Sequence, residues 1–206
     1  MKTNTNLLLI FTRNPELGKC KTRLAAKVGD RAALDIYIFL LHHTVGITQN
    51  LSVDKSVHYS EEIWETDIWD NTIYQKRLQN GSDLGERMMN AFANGFANGY
   101  QNIIIIGSDM YDLSHTDLED AFAKLEEHDF VIGPAEDGGY YLLGAKKLIP
   151  NLFKNKTWGT ETVLNATLKD LTKENYALLP VKNDVDHYED IAHLKAFQPF
   201  LNHMKR

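Results

Sequence analysis

Cysteine is nearly absent from this sequence, since Cys20 is the only one among 206 residues. No disulfide can form within the chain, and a reducing compartment, the cytoplasm, is predicted. Long apolar runs are absent too, because the longest stretches, such as residues 103–106, have the length of a strand and not of a membrane span. At the N-terminus no basic segment precedes an apolar segment and a small-residue cleavage site, so we expect no secretory signal.

An excess of basic residues is also missing, because 22 lysines and arginines face 28 aspartates and glutamates, for a formal net charge of −6. A nucleic-acid backbone attracts a basic surface, so we expect neither nucleic acid nor a membrane as a partner. An acidic protein still binds a nucleotide where cations gather locally or a divalent ion is recruited. Hydrophobic residues make up 43% and charged residues 24%, which is typical of a globular protein, and the length predicts one domain spanning 1–206.

Short apolar runs alternate with helical patterns along the chain. Strands are predicted at residues 6–12, 51–59, 71–77, 102–107, 130–134 and 138–144. Helices are predicted at residues 31–48, 61–70, 84–96, 160–171 and 187–201, with one more after Ser114. This alternation predicts a single-domain α/β fold with a mostly parallel sheet and helices on both faces. Ligands of such sheets bind beyond the carboxyl ends of the strands.

The loop after the first predicted strand concentrates positive charge. Its four cations are Arg13, Lys19, Lys21 and Arg23. A loop between a strand and a helix suits an anion, because backbone amides and the helix dipole add to the side-chain charges. The loop therefore predicts a phosphate site, although it lacks the P-loop spacing and a solvated basic loop fits the pattern equally well.

Carboxylates follow two of the predicted strands. Asp109 comes after residues 102–107, where it suits Mg²⁺ or Mn²⁺ held against a diphosphate; alternatively it caps a turn while Asp112 helps to start the next helix. Asp137, followed by Gly138 and Gly139, suits a metal, a hydroxyl or an acceptor proton; alternatively this segment is a simple hairpin with acidic turn residues.

A third acidic segment lies near the C-terminus. Asp184 and Asp186 are two residues apart, so on extended chain they point the same way and are candidates to complete a metal site with Asp109. Alternatively, Asp186 caps the last predicted helix, with Glu189 completing a capping box.

Weaker signals lie elsewhere. Asp83 and Gly85, at a glycine-rich helix entry, suit a base or ribose, or only a turn and cap. Trp158 is a candidate wall of an acceptor site, although core packing is the commoner role of tryptophan. Cationic neighbours are expected to lower the pKa of Cys20, but no base partner is visible and a nucleophile role is not favoured. The eight histidines show no spacing for zinc.

Taken together, these segments resemble a known family across nearly the whole chain. The segments FTRNPELGKCKTRLA, QNGSDLGERM, IIIIGSDMYDLS, VIGPAEDGGYYLLG, WGTETVL and DVDHYEDI occur in this order. This succession resembles the radical-SAM/selenodomain-associated transferase family, which is assigned to the GT-A glycosyltransferases and linked to arsenosugar biosynthesis. More distantly, the sequence is similar to 2-phospho-L-lactate guanylyltransferase and to the molybdenum-cofactor nucleotidyltransferases.

The resemblance implies a GT-A fold, a divalent metal, Mg²⁺ or Mn²⁺, and a nucleotide-diphosphate-linked donor. It implies that Lys21 and Arg23 bind donor phosphates and that Asp109, with Asp184 and Asp186, binds the metal. It places the acceptor or sugar beside Asp137, which is the candidate base; the further residues assigned to that side are Gly138, Gly139, Tyr140 and Trp158. Met110, Tyr111 and Asp112 depart from the Cys-Pro-Gly that the family usually has after GSD.

Three functions are therefore compatible with these features. The first is a metal-dependent glycosyltransferase that uses a nucleotide-diphosphate-sugar and a small-molecule acceptor. The second is a nucleotidyltransferase that releases pyrophosphate, although the opening loop lacks the glycine-rich GGxGTR form common in that group. The third is a nucleotide-binding regulatory module without turnover, which has no need of a complete metal site.

Overall fold

Seven strands form one sheet in the computed structural model, which describes residues 4–205. The strands are β1 (Asn6–Thr12), β2 (Asp54–Tyr59), β3 (Tyr74–Leu78), β4 (Asn102–Gly107), β5 (Phe130–Pro134), β6 (Tyr140–Ala145) and β7 (Tyr176–Leu178). Their order across the sheet is β3-β2-β1-β4-β6-β5-β7. All neighbours pair in parallel except β6, which runs antiparallel to both β4 and β5. The predicted α/β fold with a mostly parallel sheet is therefore confirmed.

Helices connect most of the strands, whereas β2 leads to β3 and β5 leads to β6 without a helix. The helices are α1 (Thr22–Val28), α2 (Asp30–Thr48), α3 (Leu84–Ala97), α4 (His115–Glu127), α5 (Val163–Asp170) and α6 (Tyr188–Ile191), with 3₁₀ helices at Pro150–Phe153 and Lys195–Lys205. Asp83 caps α3 and Ser114 caps α4, as predicted. None of the helices described has the length and apolar character needed to cross a membrane. The sequence pattern missed α1 and β7.

Two predicted helices are wrong. Residues 61–70 form turns and bends, because the Asp67 and Asp70 carboxylates accept hydrogen bonds from the backbone amides of Trp69 and Thr72 and so compete with helical pairing. Residues 187–201 form only α6 and part of a 3₁₀ helix containing Pro199, whose missing amide disfavours a continuous α-helix.

The sheet is buried on both faces. Leu8 and Ile10 of β1 pack into one hydrophobic cluster, while Leu7 and Leu9 pack into the other. A third cluster joins α1 and α2 to the C-terminal 3₁₀ helix, where Phe197 is fully buried. This packing fixes α2 and the last segment of the chain beside the start of α1.

The topology brings several loops to one edge of the sheet. In the parallel register of β1 and β4, Phe11 lies opposite Gly107, so the loops after these two strands begin side by side. Because β6 is reversed, Tyr140 at its start pairs with Pro134 at the end of β5. The turn between β5 and β6 therefore lies at the same edge as the loops after β1 and β4.

Candidate functional site

Two ion pairs join three distant segments at this edge. Lys21 Nζ lies 2.6 Å from Asp109 Oδ2, and Arg23 Nη1 lies 2.6 Å from Asp186 Oδ2. The paired residues are 88 and 163 positions apart in the sequence. The basic loop after β1, the acidic loop after β4 and the acidic segment before α6 thus converge.

Lys21 is held in an unusual conformation. Lys21 immediately precedes α1, and its backbone adopts φ 48° and ψ 48°. Residues other than glycine rarely occupy this left-handed region. The Lys21 side chain is only 7% exposed. Burial alone acts to lower the pKa of the ammonium, but Asp109, Asp186 and Asp184 outweigh it and raise the pKa, so Lys21 stays charged.

The charges around Lys21 also act on Asp184. Burial, with added repulsion from Asp137, raises its pKa to about 6, and Asp109 and Asp186 act in the same direction while Lys21 opposes them. Three carboxylates, those of Asp109, Asp184 and Asp186, thus act on the Lys21 ammonium, and Asp137 acts on Asp184.

The segment before α6 leaves Asp186 available for this pairing. Asp190 accepts the backbone amides of Asp186 and His187 at 2.9 and 2.6 Å, so the alternative in which Asp186 and Glu189 cap this helix is wrong. Asp186 directs its carboxylate to Arg23 instead. Ser114, and not Asp112, accepts the capping hydrogen bond at the start of α4.

A cleft of about 690 Å³ opens along the carboxyl ends of β1–β4. Five cationic side chains line it against three carboxylates, so its lining carries positive charge within an acidic protein. The cations are Arg13, Lys19, Lys21, Arg23 and Arg87, and the carboxylates are Asp83, Asp109 and Asp186. A cleft of this size and charge suits a phosphorylated small molecule.

Arg87 is a cleft residue that the sequence reasoning missed. Its guanidinium donates to Gly81 O at 3.1 Å and to Gln79 Oε1 at 3.4 Å, and it has no carboxylate partner among residues 4–205. A cation near the N-terminus of α3 opposes the helix dipole. This unfavourable placement is the feature of the sequence that could have indicated a functional role for Arg87.

Hydroxyl groups form the floor of the cleft. The buried Tyr37 hydroxyl of α2 accepts the Arg13 amide at 2.9 Å and lies 3.2 Å from Ser108 Oγ. Ser108 Oγ donates to Thr12 Oγ1 at 3.0 Å. One phenol thus links the ends of β1 and β4, which carry the basic loop and Asp109.

The residues expected on the acceptor side lie at the same sheet edge but outside the lining of this cleft. Asp137 is exposed, and its Oδ1 accepts the Gly139 amide at 2.8 Å. Gly138 has φ 85°, and a Cβ there would lie 2.4 Å from the carbonyl oxygen of Glu161. The two glycines therefore serve a tight turn, while Asp137 is linked to the carboxylate cluster through Asp184.

Trp158, Tyr140 and Gly85 pack together beside α3. The Tyr140 and Trp158 rings meet edge to face at 6.5 Å, and a Cβ on Gly85 would lie 2.7 Å from Trp158 Nε1. Gly85 thus permits close packing and does not line the cleft. Trp158 instead borders a second pocket of about 430 Å³, and Asp83 lines both pockets.

Cys20 differs from expectation. It lines the cleft but is buried, and burial raises the pKa of its thiol despite the neighbouring Arg13 and Lys21. The prediction of a lowered pKa is wrong, because desolvation outweighs the nearby cations.

The carboxylate oxygens in the cleft are ligand atoms of the type that Mg²⁺ and Mn²⁺ prefer. Between residues 4 and 205, no three or more His, Cys, Asp or Glu side chains form a ready metal cage. Mg²⁺ usually takes only one or two carboxylates and completes its shell with water and substrate phosphates, and both Asp109 and Asp186 supply hard oxygen atoms in the cleft. The residues present therefore fit a metal that binds together with a phosphate ligand.

Comparison with known proteins gives the family. The model for the family described as "Uncharacterized protein conserved in bacteria (DUF2064)" matches residues 43–160, more than half of the chain. The chain belongs to the DUF2064 family. No curated protein matches the sequence of this DUF2064 protein. Nothing in the comparisons bears on the radical-SAM or arsenosugar association, which stays a prediction.

Solved structures share the fold of this DUF2064 protein. A candidate nucleotide-diphospho-sugar transferase from Desulfovibrio desulfuricans G20 is 27% identical, with a TM-score of 0.86 over 98% of this chain and 96% of that one. A cytidylyltransferase from Leptospira borgpetersenii is 16% identical, with a TM-score of 0.57 over 98% and 94%. Rv0371c of Mycobacterium tuberculosis H37Rv, in complex with manganese, is 12% identical, with a TM-score of 0.56 over 97% and 100%. The fold is therefore that of nucleotide-diphospho-sugar transferases, and nucleotide-related transfer is supported.

Proposed function

We propose that this DUF2064 protein is a metal-dependent glycosyltransferase that takes a nucleotide-diphosphate-sugar donor and a small-molecule acceptor. The observation that carries the proposal is the convergence of the basic loop with Asp109 and Asp186 in a cation-lined cleft. The likeness to the Desulfovibrio protein supports the same class of donor.

In the proposed reaction, the chain's cations hold the diphosphate of the donor. Lys21 neutralises phosphate oxygens as a point charge, and the Arg23 guanidinium can bind two oxygens at once. Arg13 and Lys19 add attraction from the cleft wall, and Asp83 faces the donor from the start of α3. Arg87 supplies a further cation without a carboxylate partner in the described chain.

Asp109 and Asp186, with Asp184 nearby, are the residues that would hold the divalent ion. When bound, that ion offsets the negative charge that builds on the leaving phosphate. Asp137 is the proposed base at the acceptor: it takes the proton of the attacking hydroxyl as the new glycosidic bond forms and the bond to the diphosphate breaks. Gly138, Gly139, Tyr140 and Trp158 are proposed to shape this side of the site.

The direct test is a calorimetric titration of nucleoside diphosphates and nucleotide-sugars with and without Mn²⁺, followed by product analysis. We expect binding that depends on Mn²⁺ and release of a nucleoside diphosphate. Asp109→Asn, in a folded variant, is expected to remove both the Mn²⁺ dependence and the turnover. Retained nucleotide affinity in this variant, together with no activity of the wild type toward any donor, would instead favour a regulatory module.

Nucleotidyl transfer is the second candidate, because a cytidylyltransferase shares the fold. The same cations and carboxylates would serve it, with an acceptor phosphate attacking the α-phosphate of a nucleoside triphosphate. Release of pyrophosphate from a triphosphate would establish this reaction in place of glycosyl transfer.

A further inference from the structure

The Lys21 ammonium lies against the Asp109 carboxylate, within electrostatic range of two more, and these three carboxylates are called the carboxylate cluster. It forms a 2.6 Å ion pair with Asp109 and also interacts electrostatically with Asp184 and Asp186. Its side chain is 7% exposed, whereas that of Asp109 is 37% exposed. The buried partner of this pair is therefore the cation, and the carboxylate lies toward the cleft.

The local backbone fixes Lys21 in this position. A residue other than glycine in the left-handed region is strained, so the surrounding structure must stabilise it. Lys19, in the same loop, differs in exposure and in partners: its side chain is 55% exposed and pairs with Glu16 and Glu61, outside the cluster. The contrast indicates that the position of Lys21 is specific to the cluster.

We infer that Lys21 is an internal counter-cation that keeps the metal site closed until the donor arrives. A divalent ion and the Lys21 ammonium compete for the Asp109 carboxylate, and a buried ammonium cannot lose one anion without gaining another. The diphosphate gives the ammonium a new anionic partner and releases Asp109. Metal and donor therefore bind cooperatively, and the metal alone binds weakly. This inference rests on the proposed function.

The test measures Mn²⁺ binding without turnover. Mn²⁺ alone is titrated by calorimetry into the wild type, Lys21→Met and Lys124→Met, each first shown to be folded by circular dichroism. We expect Lys21→Met to bind Mn²⁺ about tenfold or more tightly than the wild type, because one competing charge is removed. Lys124→Met removes the same charge from a lysine that is also paired with a carboxylate, that of Asp120, but does not line the cleft, and it is expected to change the affinity by less than about twofold.

A second variant keeps the inference testable if Lys21→Met does not fold. Asp109→Asn removes the partner of Lys21, so we expect UDP, GDP, CDP and ADP, titrated without metal, to bind more tightly than they bind the wild type. No gain for any of the four would count against the counter-cation role.

The outcomes separate this inference from the proposed function. Equal Mn²⁺ affinity in the wild type and Lys21→Met, with nucleotide binding still dependent on Mn²⁺, overturns the counter-cation role alone. Nucleotide binding that never responds to Mn²⁺, in any variant, overturns the proposed metal-dependent function as well.

Discussion

At the residue scale, the site depends on a few buried polar groups that join separate segments of the chain. Tyr37 links Arg13 to Ser108, and Lys21 links Asp109 to the start of α1. The sequence identified Lys21 and Asp109 because each follows a recognisable strand. Tyr37 was not identified, since a tyrosine within a helical pattern looks like any other core residue until the fold places its hydroxyl.

Replacing Tyr37 by phenylalanine is expected to weaken the site as well as the fold. The Arg13 amide loses its phenol partner, which should lower the free energy of unfolding by about 1–2 kcal/mol and weaken nucleoside diphosphate binding severalfold. Tyr74→Phe is the matched control, because the Tyr74 hydroxyl is also buried and bonded, to Thr48 at 2.8 Å, but away from the cleft. Equal binding losses in the two variants, measured by calorimetry, would contradict a positioning role for Tyr37.

Titration of single buried groups should make stability depend on pH. Burial, with Arg77 adding to it, lowers the pKa of His58 from 6.5 to about 4, so the folded state keeps this imidazole neutral. The unfolded chain binds the proton first as the pH falls below 6.5, and stability should decline between pH 6.5 and 4, by up to about 3 kcal/mol. Asp184 acts oppositely, because its raised pKa lets the folded state take up a proton first as the pH falls through about 6.

Urea denaturation of wild type and His58→Gln between about pH 7 and about pH 5 separates these two effects. We expect the wild type to lose stability across this range relative to the variant, which lacks the His58 contribution and keeps the opposite contribution of Asp184. Parallel pH profiles for the two proteins would show that His58 is not held neutral by the fold.

At the element scale, helices and strands with regular hydrophobic spacing could be predicted from the sequence. Segments in which side chains compete with the backbone for hydrogen bonds could not. The isoleucine run of β4 and the capped helices α3 and α4 follow directly from periodicity and caps. The turns at residues 61–70 depend on Asp67 and Asp70 binding nearby amides, which hydrophobic spacing does not report. The reversal of β6 agrees with the hairpin that the sequence offered as an alternative for this segment, because a short turn joins only antiparallel neighbours.

Two helical glycines should respond oppositely to alanine. In α3, Gly85→Ala would bring a Cβ to 2.1 Å from the Phe153 carbonyl oxygen, so we expect a loss of about 1–3 kcal/mol from overpacking. In α2, a methyl group on Gly46 would have no heavy atom of another residue within 4 Å, and Gly46→Ala should gain about 0.5–1 kcal/mol. Thermal denaturation of both variants checks the prediction, and a stable Gly85→Ala would show that the contact between α3 and the Trp158 segment yields readily.

At the scale of the whole molecule, the charge of the cleft is opposite in sign to the net charge of the protein. The chain carries a formal net charge of −6, yet five cations and three carboxylates line the cleft. Composition excluded a general nucleic-acid binder and left room for a nucleotide. The pairing of Arg23 with Asp186 could not be read from the sequence, because it depends on the sheet order that brings the two segments together.

Binding of a nucleoside diphosphate should therefore depend strongly on salt. Between about 50 mM and about 500 mM NaCl we expect its affinity to fall by roughly tenfold, because counter-ions screen the cations of the cleft. The matching nucleoside, which carries no phosphate, should lose little affinity over the same range. A salt-independent diphosphate affinity would indicate that these cations stay paired with protein carboxylates in the complex.

The separation of the paired residues along the chain has a consequence for biosynthesis. The ion pair between Arg23 and Asp186 cannot form until Asp186, 163 positions later, has been synthesised. A nascent chain on the ribosome therefore presents the cleft residues between Phe11 and Asp109 long before it presents Asp186. Ligand capture should begin only after the segment around Asp186 has left the exit tunnel, so nucleotide binding would report the last stage of folding.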